Sequence, residues 1–159
     1  MKNKKIGMVN VEDFQQGIKK ALAGANKKAR SGWEYGLLFT LEKNKLHVIG
    51  CSGCQIAAAT MDIDGGEVET CHIFLTWGWI RELQEFLSLQ ISKKVRLEQK
   101  GLVFVVDSFY DYIELNMNPD IQYPDWKHIL KHKKEALQKT TSKRLLQALK
   151  KDKLKFIFA

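Results

Sequence analysis

The chain is organised around one run of residues, Lys45-Leu46-His47-Val48-Ile49-Gly50-Cys51-Ser52-Gly53-Cys54-Gln55-Ile56-Ala57-Ala58-Ala59-Thr60-Met61. Its first half is apolar and β-branched, which is typical of a strand. Gly50 and Gly53 then indicate a tight corner, because glycine tolerates positive φ. The second half consists mostly of small side chains, and it predicts a second strand that packs closely against a helix.

The residues before this run extend the pattern to three strands. Gly36 to Leu41 is another apolar run, and the polar residues 42–45 that follow it are typical of a hairpin turn. We therefore expect Leu37–Met61 to form a three-stranded antiparallel meander.

Two blocks of this sequence resemble the sliding clamp, the β subunit of bacterial DNA polymerase III. The first block is the meander with its glycine corner. The second is Ile121-Gln122-Tyr123-Pro124-Asp125-Trp126-Lys127-His128-Ile129-Leu130, which is similar to the aromatic-Pro-Asp-aromatic-basic signature that closes the central clamp domain. The resemblance covers about Val11 to Leu130, and the spacing leaves room for a strand, a helix and a hairpin between the blocks.

The resemblance implies an α+β fold, a DNA-clamp-like domain of antiparallel sheets with two amphipathic helices on one face. Apolar residues at helical spacing predict these helices at Asn10–Arg30 and Trp77–Leu89, with Asn10 as the N-cap of the first. Further strands are predicted at Cys71–Leu75, Val95–Leu97, Leu102–Val106 and Phe109–Leu115. We divide the chain into a clamp-like domain, residues 1–130, and a basic linker with a C-terminal helical tail, residues 131–159; no internal repeat is visible in the sequence.

The net charge of +8 favours a polyanionic partner, nucleic acid first. The alternative interpretation is a lysine-rich surface that keeps the protein in solution. No apolar run is long enough to span a membrane, and no signal-peptide core follows the basic N-terminus. We expect a cytoplasmic protein without a membrane partner.

A basic stripe on the first helix and the loop after it is the candidate DNA-binding site, because cations and an aromatic side chain suit a phosphate backbone. The alternative is an ordinary amphipathic helix. Glu82 and Glu85 on the outward side of the second helix argue against both helices facing DNA. The candidate residues are Lys20, Lys27, Lys28, Arg30 and Trp33.

No sequence motif of an enzyme is present, and we expect no cofactor. Cys51 and Cys54 could ligate zinc together with Cys71 and either His72 or His47. Adjacent strand residues such as Cys71 and His72 point to opposite faces, however, and a redox Cys-x-x-Cys pair would begin a helix. Small buried residues in a tight corner are the alternative, and we predict no metal site; an odd count of three cysteines also disfavours a disulfide framework.

The resemblance implies a pocket beside the glycine corner that receives a short peptide from a partner protein. Carried over to this sequence, its residues are Cys51, Gly53, Cys54, Gln55, Ile56, Pro124, His128 and Ile129. The sequence departs from the family at the corner, where Thr-Asp-Gly-His-Arg is usual, and at Glu34, where an apolar residue is usual. Glu34 would repel acidic peptides and favour basic ones.

These observations predict a non-enzymatic, sliding-clamp-like DNA-binding or replication accessory protein of the polymerase processivity type. In the resembled family six such domains form a ring around duplex DNA, so the expected partners are DNA, further copies of the chain, and DNA polymerase or other replication proteins bound through a short peptide. The alternative is a stand-alone protein-interaction module with a clamp fold that no longer encircles DNA. A cysteine-dependent metal or redox protein is a third interpretation.

Overall fold

The computed structural model describes residues 3–25, 28, 35–52, 56–66, 70–123 and 125–127. Two helices lie among the strands of this part of the chain. In chain order the elements are β1 (Asn3–Asn10), α1 (Val11–Leu22), β2 (Gly36–Glu42), β3 (Lys45–Cys51), β4 (Ile56–Asp62), β5 (Thr70–Thr76), α2 (Trp77–Ser88), β6 (Lys94–Lys100), β7 (Val103–Asp107) and β8 (Tyr112–Asn116). The predicted C-terminal helical tail lies outside the described residues.

The strands form two four-stranded antiparallel sheets, which confirms the predicted fold class. Sheet A has the strand order β1-β6-β7-β8, and sheet B has the order β4-β3-β2-β5. The chain passes twice through the order strand, helix, three strands, and each unit gives its first strand to the sheet of the other unit. β1 pairs with β6, and β5 pairs with β2. The fold is therefore an internal duplication that the sequence does not reveal.

The glycine-rich run forms β3 and β4 as predicted, and α1 packs on them at very short range. A Cβ added to Gly50 would lie well inside van der Waals distance of the Ala21 carbonyl oxygen, and one added to Gly24 would overlap the backbone nitrogen of Ala57. The small residues of this run thus allow the backbone of α1 to approach the backbone of sheet B more closely than larger side chains would permit.

Asn10 is the N-cap of α1, as predicted, and its Oδ1 accepts a hydrogen bond of 3.0 Å from the backbone N–H of Asp13. The predicted end at Arg30 is wrong, because α1 ends at Leu22. The turn after Leu22 carries Gly24, which lies too close to the Gly50 carbonyl oxygen of β3 and the Ala57 nitrogen of β4 for a side chain to fit. The second helix, Trp77–Ser88, agrees with its prediction to within one residue.

Two strand predictions also need correction. The sequence did not predict β1, because its apolar alternation is interrupted by a bulge between Lys5 and Gly7. β8 begins at Tyr112 and not at Phe109, which has a positive φ of 74°. The carboxylate of Asp107 accepts a 2.9 Å hydrogen bond from the Phe109 N–H, so residues 108–111 form a turn.

The main core lies where α1, α2 and the inner faces of both sheets meet. Phe39 of β2 is at its centre: its ring lies 6.0 Å from that of Phe14 in α1 and 5.9 Å from that of Phe104 in β7. All three side chains are fully buried. Aromatic packing therefore ties one helix and both sheets together.

We predict that Gly50→Ala destabilises the protein by about 1–3 kcal/mol, because the new methyl group forces α1 away from sheet B. Gly78→Ala is the matched control. Gly78 lies in α2 with open space around it, so the same change should raise the free energy of unfolding by roughly 0.5–1 kcal/mol. Chemical denaturation measures both values, and equal effects of the two substitutions would contradict the close approach.

Candidate functional site

The chain after β8 returns across the outer face of sheet B, the face turned away from the main core. Trp126 is buried there, and Tyr123 packs beside it. The Tyr123 hydroxyl donates a 3.3 Å hydrogen bond to the carbonyl of Ile49, and its ring lies 6.0 Å from that of Phe74. We call this apolar group the outer cluster; it comprises Leu38, Ile49, Ala58 and Trp126, with Ile56 and Tyr123 at its edge.

A polar row crosses the same face next to the outer cluster. The strand register aligns Thr60, His47, Thr40 and His72 on β4, β3, β2 and β5. His47 Nδ1 lies 3.0 Å from Thr60 Oγ1, and His72 Nδ1 lies 2.7 Å from Thr40 Oγ1. The fully buried hydroxyl of Thr40 therefore has a partner, as a buried polar group requires.

Trp126 and Lys127 cover one end of this row. The Trp126 ring lies 5.6 Å from the His47 ring, and Lys127 Nζ donates a 2.6 Å hydrogen bond to Glu42. Burial lowers the pKa of His47, because the charged imidazolium loses hydration. The hydrogen bond from Lys127 lowers the pKa of Glu42. Burial raises the pKa of the Tyr123 hydroxyl, so it stays protonated as the donor to Ile49.

The structure places part of the predicted peptide pocket in this region. Ile56 lies at the edge of the outer cluster, and Cys51 is buried at the end of β3. Tyr123 and Trp126, which flank Pro124 in the sequence, belong to the same cluster as Ile56. The remaining pocket residues, Gly53, Cys54, Gln55, Pro124, His128 and Ile129, and the rim residue Glu34, lie outside the described residues, so the pocket stays a prediction.

Of the predicted DNA-binding residues, the structure describes two. Lys20 is half-buried on α1, and Lys28 is exposed beyond its end. Lys27, Arg30 and Trp33 lie outside the described residues. The charged side chains that α1 and α2 turn outward are nearly balanced, with Glu12, Asp13, Glu82 and Glu85 against Lys19, Lys20 and Arg81.

The structure separates the cysteines that a shared zinc site would bring together. Cys71 is opposite Leu41 in the register of sheet B, whereas Cys51 lies at the other end of the sheet, beyond the Leu38–Ile49 pair. Burial raises the pKa of the Cys71 thiol to about 11, and the thiol donates to Gln99. Within the described part of the chain, no group of three His, Cys, Asp or Glu residues could hold a metal ion.

Sequence reasoning missed the contacts that attach the second signature block to sheet B. The block itself was recognised, but the contact of the Trp126 ring with the His47 ring and the Lys127–Glu42 ion pair were not predicted. The sequence indicates these contacts only weakly. Thr40 and His47 flank a hairpin turn, and the turn brings them opposite one another.

This geometry can be compared with known proteins. No family model matches the chain, and no curated protein matches it in sequence. A sliding clamp from Pseudomonas aeruginosa matches it in structure with a TM-score of 0.68 and 13% identity, over 80% of this chain and 33% of that chain. The chain has the fold of a sliding-clamp domain.

Two further clamps agree. A sliding clamp from Caulobacter crescentus gives a TM-score of 0.67 and 15% identity over 80% of this chain and 35% of that chain. The DNA polymerase III β subunit of Thermotoga maritima gives 0.64 and 15% identity over 78% and 32%. The chain thus spans about a third of the length of these clamps, which confirms the predicted resemblance to a single clamp domain. No helix in the described ranges is long and apolar enough to cross a membrane.

We predict that acid lowers the stability of the folded protein through His47, whose ring contacts Trp126. The pKa of His47 in the folded protein lies below the ordinary value of 6.5, so the unfolded chain takes up this proton first and stability falls as the pH drops below 6.5. Glu42 acts in the same direction at lower pH: its stabilising effect is present above the ordinary pKa of 4.5 and is lost as the pH falls through its lowered value.

Thermal melts between about pH 7.5 and 5 test this expectation in the wild type and in His47→Gln. The melting temperature of the wild type should fall with acid more steeply than that of the variant, which carries no titrating group at this position. Parallel curves over this range would show that His47 does not carry the effect.

Proposed function

We propose that this protein is a sliding-clamp-like accessory factor of DNA replication, which binds DNA without catalysing a reaction. The observation that carries the proposal is the fold: 80% of the chain superposes on one domain of a sliding clamp. The duplicated strand-helix-strand unit places α1 and α2 in contact with each other, and the resemblance assigns that helical face to the DNA. Partners on this proposal are DNA, replication proteins and further copies of the domain.

The distribution of charge determines which residues could attract the DNA backbone. Residues 1–130 contain sixteen Lys or Arg and sixteen Asp or Glu, whereas residues 131–159 contain ten and two. With the helical face nearly balanced, phosphate attraction within the domain depends on the C-terminal end of α1, which carries Lys20, and on the segment that follows it. This argument supports Lys20, Lys27, Lys28 and Arg30 as the domain's phosphate contacts, with Trp33 as an aromatic neighbour, and it makes residues 131–159 a second cationic source.

A ring around DNA requires several such domains. The part of this chain that matches a clamp, 80% of its residues, corresponds to 33% of that clamp. On the proposal, several copies associate to complete the six domains that the resemblance implies. The mass of the protein in solution, with and without duplex DNA, tests this step directly; a monomer under both conditions would exclude encirclement by this chain alone.

We expect the combined replacement of Lys20, Lys27, Lys28 and Arg30 by Gln to weaken binding to duplex DNA. Each lost phosphate contact removes about 0.9 from the slope of log affinity against log salt concentration, so the slope should fall by roughly 3–4. Fluorescence anisotropy with a labelled duplex at several salt concentrations measures this slope.

Two other quadruple variants make the result specific, because they remove the same number of charges. Gln at Lys4, Lys43, Lys93 and Lys100 changes cations away from the helical face, of which Lys4 is partly buried and the other three are exposed, and it should leave the slope nearly unchanged. Gln at Lys143, Arg144, Lys150 and Lys151 tests residues 131–159. A slope that responds only to this last set would place the DNA site there and refute the loop assignment.

The balanced charge of the helical face also favours a second candidate, a protein-interaction module with a clamp fold that does not encircle DNA. On this interpretation the outer cluster and the segment after it receive a short peptide with one or two apolar anchors. Absence of DNA binding at low salt, together with retained binding of such a peptide, would favour the module over the clamp.

Ile129→Asp tests the peptide pocket, and Leu102→Asp is the matched control at the exposed β6–β7 turn. If Ile129 lines a pocket, Ile129→Asp weakens the binding of a basic, apolar probe peptide at least tenfold, which corresponds to roughly 1.4 kcal/mol. The melting temperature of this variant is then retained. A collapsed melt for Ile129→Asp alone would identify the residue as part of the core and remove it from the pocket.

A further inference from the structure

The turn between β7 and β8 holds large aromatic side chains in solvent. Phe109, Tyr110 and Tyr112 are 59%, 89% and 63% exposed. Leu89 and Ile91, at the end of α2, are 73% and 96% exposed. A 3.0 Å hydrogen bond from Ser92 Oγ to the Ser108 carbonyl joins the two segments. We call these five side chains, Leu89, Ile91, Phe109, Tyr110 and Tyr112, the corner patch.

Local hydrogen bonds hold the aromatic turn in one conformation. Ser108 N–H donates to the Asp111 carbonyl at 2.8 Å, and Asp111 Oδ1 accepts a 2.8 Å bond from the Tyr112 N–H. The backbone of Phe109 adopts a φ of 74°, which is unfavourable for a bulky residue, and the Asp107 carboxylate holds it there. A rigid turn that displays aromatic side chains loses little conformational entropy when it binds a partner.

Acidic groups outnumber basic ones around the corner patch. Arg96 contributes little free charge, because its guanidinium lies 5.2 Å from the Phe109 ring centre and 3.7 Å from the Asp107 carboxylate. Lys94 is paired with Asp64 at 3.3 Å. In the turn, on β8 and in the last turn of α2, the exposed carboxylates are those of Glu85, Asp111 and Glu114. Lys93 is the neighbouring exposed cation besides the paired Lys94. A ligand of this patch is therefore apolar and basic.

The duplication of the fold gives the corner patch a counterpart. β7 and β8 hold the same place in the second unit as β3 and β4 hold in the first. The β7–β8 turn therefore lies at the end of sheet A that corresponds to the Cys51–Ile56 end of sheet B. Cys51 and Ile56 belong to the predicted peptide pocket, so the corner patch holds the equivalent place in the second unit.

We propose that the corner patch is a docking surface for a basic, aromatic polypeptide segment, and that residues 153–158 of this chain occupy it. That segment, Lys153-Leu154-Lys155-Phe156-Ile157-Phe158, combines two cations with four large apolar side chains. The chain between Lys127 and Lys153 is long enough for this segment to contact the corner patch. Its 26 residues extend up to roughly 85 Å, several times the radius of a small domain.

Hydroxyl-radical footprinting of the full chain tests the proposal, with oxidation of Tyr110 measured by mass spectrometry. Replacement of Phe156, Ile157 and Phe158 together by Ser should raise this oxidation about threefold, the change expected when roughly two thirds of the molecules have the patch covered. Ser at Leu145, Leu146 and Leu149 removes equal apolar character from the same tail and should have no effect. Leu102, exposed at the β6–β7 turn, is the internal reference.

Charge and concentration complete the test. Lys153→Glu with Lys155→Glu should raise Tyr110 oxidation in the same way, since the segment then meets like charge at the turn. Dilution should leave the oxidation unchanged for a segment of the same chain. If oxidation of Tyr110 rises on dilution, the occupant is the segment of a second copy, and the proposal is overturned. Equal oxidation in the wild type and the Phe156/Ile157/Phe158 variant would also overturn it, because the patch would then be open to a different partner.

Discussion

The contact of the Phe39 ring with Phe14 and Phe104 is the interaction on which the rest of the structure depends. Phe39 belongs to sheet B, Phe14 to α1 and Phe104 to sheet A, so three buried rings join the layers that the hydrogen-bonded ladders leave separate. The glycines and alanines of β3 and β4 matter for the same reason: they let α1 lie close enough to sheet B for Phe14 to meet Phe39. Burial of such aromatic rings is among the largest contributions that a single side chain makes to stability.

Elements with regular local patterns could be predicted from the sequence, and elements defined by distant contacts could not. The meander and α2 follow from apolar spacing, and the cap at Asn10 follows from local chemistry. β1 was missed because of the bulge before Gly7, and the end of α1 was missed because the close approach of Gly24 to sheet B is a distant contact. The turn at Phe109 was missed because one hydrogen bond, from the Phe109 N–H to the Asp107 carboxylate, overrides the strand propensity of the aromatic residues.

The candidate site, too, could be predicted from the sequence only in part. The signature around Pro124 identified the segment, because aromatic residues beside a proline form a local pattern in the sequence. The contacts that attach it to sheet B join residues far apart in the chain, as Lys127 and Glu42 show, and no local pattern encodes them. Charge was interpreted only as a total, although residues 1–130 are neutral and the basic excess lies in residues 131–159.

The exchange of first strands between the two units also determines when each sheet can form during synthesis of the chain. β1 is made first, but its partner β6 extends to Lys100, so on the order of 10 s pass before the pair can close at about 5–20 residues per second. β2, β3 and β4 are adjacent in sequence and have no such delay. An unpaired strand in a nascent chain is a site of aggregation, and lysine on a strand edge discourages pairing with other chains. β1 remains at the edge of sheet A in the folded protein, so Lys4 and Lys5 discourage pairing with other chains both before and after β6 is made.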